Sequence, residues 1–179
     1  AVVAAPLDEQ ANPGLSPNPA KAPWYFMGVQ ELLVHLHPSF AVLVAPLLGI
    51  GFLAGVPFLH YGEAHSGFWF HSGRGKRAAA YAMFAALLLV PAAVLLDEHV
   101  VHWTQLFPGL PPAVSTGLIP LAIGIAVVLA LVLFLKRSLS LTRLEAVQAL
   151  FAFAAVTLVV LTVVGVVFRG PSMRLRWPW

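Results

Sequence analysis

The sequence predicts an all-α integral membrane protein: four transmembrane helices preceded by a short interfacial helix. Composition and run length predict it. Of 179 residues, 60% are hydrophobic and only 9% are charged. A soluble domain carries about 25% charged residues, so this chain has too little charge to cover a water-facing surface. The apolar residues gather in four runs of 19 or more, at about 40–59, 78–96, 114–135 and 144–168. In lipid each run must be a helix, because backbone groups cannot stay unpaired there. Segments of about ten alternating residues, as a β-barrel needs, are absent.

The elements follow in order. Residues 1–23 hold five of the fifteen prolines with Asn, Asp, Glu and Ser, and read as an extended arm on the outer face. Residues 24–37 read as an interfacial segment. Trp24, Met27, Leu32 and Leu36 recur at roughly helical spacing, and Pro23 suits a helix start. A helix over 24–36 reaches about 20 Å, short of the roughly 30 Å hydrocarbon core. Trp24 and Tyr25 are rings that prefer the membrane interface. Residues 38–168 form the four-helix transmembrane domain, and 169–179 a tail on the outer face. Pro46, Pro57, Pro91 and Pro120 inside the runs predict kinks.

Orientation comes from the connections. Arg74, Lys76 and Arg77 lie between the first two spans, and Lys136, Arg137 and Arg143 between the last two. The middle connection opens with Asp97 and Glu98 and has no Lys or Arg. Basic loops stay in the cytoplasm, so both termini and the 97–112 loop face outward. Arg169, Arg174 and Arg176 count against this assignment. An outer N-terminus requires a removed signal, a preceding helix, or assembly on a partner. The net charge of +3 is explained by the membrane and not by nucleic acid.

The absence of cysteine excludes thiolate metal sites, iron–sulfur ligation and thioether haem attachment within the chain. None of the four runs has a central histidine, so no buried haem is axially ligated here. Glu98, His99 and His102 fall at i, i+1 and i+4, which can bring them to one helix face, a possible metal spacing. No third histidine or cysteine is nearby in sequence, so they read as a polar cap against a partner and no metal site is assigned. His60, His65 and His71 sit in a connecting loop with Tyr61 and Trp69. His35 and His37 could relay protons, but on a helix they point about 200° apart.

The segment Asn18-Pro19-Ala20-Lys21-Ala22-Pro23-Trp24-Tyr25-Phe26, followed by Gln30-Glu31, resembles the outer quinol-site segment in the C-terminal half of cytochrome b. Arg169-Gly170-Pro171 and the final Arg176-Trp177-Pro178-Trp179 resemble the C-terminus of bacterial members with the same opening. In that family a Pro-Glu-Trp-Tyr-Phe sequence lines the site, and its glutamate accepts a proton. Pro23 stands at the glutamate position here. The resemblance therefore implies Pro23, Trp24, Tyr25 and Phe26 as quinol-binding residues, with Tyr25 and Glu31 in catalytic roles. Glu31 would substitute as proton acceptor, its pKa raised by partial burial.

The implied activity is that of a subunit of a bacterial inner-membrane quinol:cytochrome c oxidoreductase, inactive alone. The implied cofactors are a shared quinol or quinone here, with haem b and an iron–sulfur cluster on partners. The implied partners are an N-terminal haem-bearing cytochrome b subunit, a Rieske-type iron–sulfur protein, a c-type cytochrome and the lipid membrane. The split form of the family has one helix before the Trp-Tyr segment and two after it, whereas four follow it here. A non-catalytic membrane anchor is the alternative. A transporter is disfavoured by the lack of ionisable residues inside the spans.

Overall fold

A computed structural model describes residues 20–59, 69–170 and 173–176. The short helix α1 covers Trp24–Val34. The first span is Phe40–Phe58, made of a π turn (Phe40–Val44), helix α2 (Ala45–Gly55) and a 3-10 turn (Val56–Phe58). Helix α3 (Gly73–His99) is the second span. A single-turn helix α4 (Trp103–Leu106) precedes the third span, Val114–Ser138, in which a π turn (Val114–Leu118) leads into α5 (Ile119–Ser138). The fourth span, Arg143–Phe168, joins α6 (Arg143–Val163) to a final π turn (Val164–Phe168). All four are long and apolar enough to cross a membrane. The protein is therefore an all-α, multi-pass membrane protein. Among the described residues the only β feature is one antiparallel bridge, Arg169 to Leu175.

The prolines explain the wide turns. Pro46 and Pro120 each stand second in an α-helix directly after a π turn. A proline removes its own N–H and clashes with the carbonyl four residues back. The chain responds with i to i−5 bonding: the Ala45 and Ile119 N–H groups donate to the Phe40 and Val114 carbonyls. The distortions expected at these prolines are thus widened helical turns. Pro91 lies within α3.

Two boundaries move. Arg74, Lys76 and Arg77, expected in a loop, lie in the first turns of α3, because Ser72 caps that helix and accepts from the Gly75 N–H at 2.9 Å. Helix α1 stops at Val34, not Leu36. The Leu36 N–H takes the Leu33 carbonyl at 3.1 Å in a tighter turn, ahead of Pro38.

The bundle is organised around α3 and α6, which run parallel. Ala78, Ala82 and Ala86 repeat every four residues and are fully buried against α6. Ala149 and Phe153 of α6 complete this core, with Leu135 and Leu141 beside them. Apolar residues gain little by leaving lipid for protein, so close packing through small side chains holds such helices together. Helix α1 packs on the far end of α6. A Cβ on Gly28 would stand 2.5 Å from Thr162 Oγ1 and 2.7 Å from the Leu158 carbonyl, and Met27 fills the notch at Gly165. The first span has no buried residue in its apolar window, and two of its aromatic rings touch the rest of the bundle. Phe52 meets Phe151 at 6.1 Å, and Phe40 lies against Gly117.

This order of crossings puts α1, the connection from α3 to α5, and the chain after Phe168 at one end of the bundle. The start of α3, the end of α5 and the start of α6 share the other.

Candidate functional site

At the α1 end, chemistry concentrates on one residue, Arg169. The final π turn of α6 delivers it to a tight reversal in which the Gly170 N–H donates to the Arg174 carbonyl at 2.8 Å, and the Arg176 N–H to the Phe168 carbonyl at 2.7 Å. Met173, at φ 56°, closes the reversal. Its carbonyl accepts from Arg169 Nη1 at 2.7 Å. The guanidinium is thereby turned inward, and Arg169 is only 3% exposed.

Its main partner is Glu31 of α1, fully buried at 0% exposure. Arg169 Nε donates to Glu31 Oε2 at 2.9 Å and Nη2 donates to Oε1 at 2.7 Å, a two-pronged pairing across 138 residues of sequence. Arg169 Nη1 also donates to Glu98 Oε2 at 2.8 Å. His35 completes the cluster: Nδ1 lies 2.6 Å from Asp97 Oδ2 and Nε2 lies 3.3 Å from Glu31 Oε1. Asp97 Oδ1 accepts from the Trp103 indole N–H at 2.6 Å. One network therefore ties α1, the end of α3, α4 and the C-terminal reversal.

The electrostatics follow from these contacts. Burial pushes the Glu31 carboxyl up, but the hydrogen bonds from His35 and Arg169 outweigh it and the net direction is down. Burial pushes His35 down, yet its bonds to Asp97 and Glu31 bring it up to about 9. Burial likewise opposes the charge of Arg169, and Glu31 and Glu98 more than offset it.

The expectation of a Glu31 raised toward neutrality is thus corrected. A guanidinium and an imidazole face the carboxylate and favour its charged form.

The aromatic residues lie apart from this cluster. Pro23 caps α1 and is exposed. Trp24 and Tyr25 are 72% and 71% exposed, and Phe26 is half exposed. The Trp24 and Tyr25 rings pack edge to face at 5.9 Å. Glu31 sits about two turns further along α1, roughly 10 Å of rise away. The residues upstream are nevertheless tied to the same helix. Gln30 Oε1 accepts from the Ala22 N–H at 2.7 Å, and Gln30 Nε2 donates to the Ala20 carbonyl at 2.6 Å. Residues 20–22 are thus folded back along α1, and residues 1–19 lie outside the described residues.

The histidines separate. His37 donates its backbone N–H to the Thr116 carbonyl at 2.9 Å, anchoring the start of the first span. Glu98, His99 and His102 do not share a helix face, because α3 ends at His99 and His102 precedes α4. Glu98 turns to Arg169, while the His99 and His102 rings bond backbone carbonyls of Leu95 and Val100. Among the described residues no group of three His, Cys, Asp or Glu side chains could hold a metal ion. His71 is exposed at the opposite end; His60 and His65 lie outside the described residues.

Residue spacing gave no sign of Arg169, Asp97, Glu98 and Trp103 as one cluster with Glu31. The topology carried a hint: four spans return the Asp97-Glu98 pair, α1 and the chain after Phe168 to the same end.

No family model, curated protein or solved structure matches this chain.

Proposed function

We propose that this chain is a cytochrome b C-terminal-type subunit of a membrane quinol:cytochrome c oxidoreductase, contributing part of the quinol oxidation site. The observation that carries the reading is that residues 20–31 behave as one unit. Gln30 folds Ala20 and Ala22 onto α1, Glu31 fastens the helix to the bundle, and Trp24, Tyr25 and Phe26 stand free at its start. These are the residues on which the resemblance rests. Exposed rings at a membrane interface can stack on a quinone head, and the Tyr25 hydroxyl can donate a hydrogen bond to it.

In this reading the site is completed by a partner. The haem-bearing cytochrome b subunit, a Rieske-type iron–sulfur protein and a c-type cytochrome supply the redox centres. The α1 end faces the outside of a bacterial inner membrane, with the basic residues at the start of α3 and around the α5–α6 turn in the cytoplasm. Proton acceptance by Glu31 would require Arg169 to release its carboxylate.

The second reading, a non-catalytic anchor, draws on that same pairing and on Pro23 at the glutamate position. Purification in mild detergent, with a reduced-minus-oxidised haem spectrum and subunit identification, tests the proposal. Co-purification with a b-type haem subunit supports it, and a colourless chain without redox partners overturns it. Within such a complex, Tyr25→Phe and Trp24→Ala should weaken binding of a quinol-site inhibitor; unchanged binding favours the anchor.

A further inference from the structure

We infer that His35 is a resident cation, second to Arg169, that fastens the aromatic helix α1 to α3. The inference does not depend on the proposed function. It starts from the ring's surroundings. Both ring nitrogens face carboxylate oxygens, Nδ1 toward Asp97 at 2.6 Å and Nε2 toward Glu31 at 3.3 Å. A neutral imidazole has one N–H, so only the doubly protonated ring donates to both. The 2.6 Å contact is short, as a charge-assisted bond is.

Charge balance points the same way. Glu31, Asp97 and Glu98 bring three carboxylates together, and Arg169 is the one guanidinium among them. A neutral ring leaves the cluster at net −2, with Glu31 fully buried; a protonated ring halves that excess.

The competing arrangement is a neutral ring that donates from Nδ1 to Asp97 and accepts at Nε2 from Arg169 Nη2, 3.4 Å away. The two Nε2 contacts are nearly equal in length, and charge decides between them: the neutral ring leaves the excess negative charge in place.

The other groups around His35 supply no substitute cation. Trp103 on α4 donates a neutral N–H to Asp97. The His99 and His102 rings are engaged by backbone carbonyls. The charged residues of α6, Arg143 and Glu145, are at its opposite end. The ring's pKa, raised to about 9 by these carboxylates, agrees with the geometry. His35 is therefore a positioning residue, and a proton shuttle between Glu31 and Asp97 is not its role at neutral pH.

The test uses the full chain in detergent. The absence of native cysteine allows nitroxides to be placed cleanly at Leu32→Cys on α1 and Leu95→Cys on α3, both exposed positions. Nitrogen-15 NMR of labelled histidine should find both His35 nitrogens protonated at pH 7 and titrating near 9. The nitroxide distance distribution should be narrow at pH 7 and broad at pH 10.5. His35→Arg, a permanent cation, should keep it narrow at both values, which separates loss of the ring charge from general alkaline unfolding. His35→Gln should broaden it at both. If His35→Gln does not fold, the wild-type titration and His35→Arg decide alone. An Nε2 without a proton at pH 7, or a wild-type distribution unchanged between pH 7 and 10.5, overturns the inference.

Discussion

The two ends of the α3–α6 pair are both closed by polar groups, in opposite ways. At the α1 end the closure is ionic and long-range: Arg169, Glu31, His35, Asp97 and Glu98 meet from three stretches of chain far apart in sequence. At the other end it is built mainly from helix caps. Thr142 and Glu145 form a reciprocal capping box at the start of α6, with the Thr142 N–H donating to Glu145 Oε2 at 2.8 Å and the Glu145 N–H donating to Thr142 Oγ1 at 3.2 Å. Ser72, the cap of α3, donates its hydroxyl to Glu145 Oε1, and Gln148 Oε1 accepts from the Phe70 N–H at 3.1 Å. The cap end joins two helices by groups that each helix start must satisfy anyway. The ionic end carries charges that are tolerable only while all partners are present. The first rests on neutral donors and helix caps and is robust; the second is specific and fragile.

The largest effect should come from breaking the ionic end on one side. Arg169→Met takes the two-pronged partner from buried Glu31 and leaves it only the longer contact to His35, and should cost about 3–5 kcal/mol. Adding Glu31→Met should recover most of that loss, since a buried pair replaced by apolar side chains is often neutral. Reversible unfolding of the detergent-solubilised protein measures both, and a double variant as unstable as the single would mean the two residues act separately.

A second effect depends on pH. The ordinary His35 value is 6.5 and the folded value about 9, so its contribution is complete below 6.5 and lost as pH rises through 9. The shift corresponds to about 3 kcal/mol at most. Glu31 has the opposite sign: lowered from 4.5, it contributes fully above 4.5 and loses that contribution in acid. Stability measured from pH 5 to 10 should fall on the alkaline side, and His35→Gln should flatten that fall.

Gly28→Val probes the seat of α1 without touching a charge. Its new Cβ would meet Thr162 Oγ1 and the Leu158 carbonyl, with an expected cost of about 1–3 kcal/mol. Labelling of a cysteine at Met27, otherwise buried, should then become rapid.

At the cap end, Thr142→Ala should cost about 1 kcal/mol, the ordinary value of a lost N-cap. A loss as large as that of Arg169→Met would erase the distinction between the ends. The smallest effect belongs to Trp24→Ala. An exposed ring with little packing should change stability by less than about 0.5 kcal/mol. Under the proposed function, its effect should appear only in inhibitor or quinol binding.

The spans were legible within a few residues because lipid requires long, uncharged, internally bonded segments, and composition reports that directly. The cap end was not read: residues 74–77 were expected in a loop, whereas Ser72 caps α3 there and the Thr142-x-x-Glu145 pattern caps α6. The shared helix face expected for Glu98, His99 and His102 failed because periodicity assumes a helix that continues, and α3 stops at His99. The direction of the Glu31 pKa was misjudged for a different reason. Burial alone raises a carboxyl, and the partners that reverse the sign sit 4 and 138 residues away.

The sequence by itself determined the membrane and the number of crossings, because hydrophobicity and run length act locally and leave few alternatives. Only the tertiary structure decided that Arg169 closes on Glu31, that His35 lies between two carboxylates, and that Trp24 and Tyr25 stand apart from both. Those outcomes depend on which side chains meet after four crossings. No spacing rule spans that distance, because the energies of buried charges depend on every partner at once.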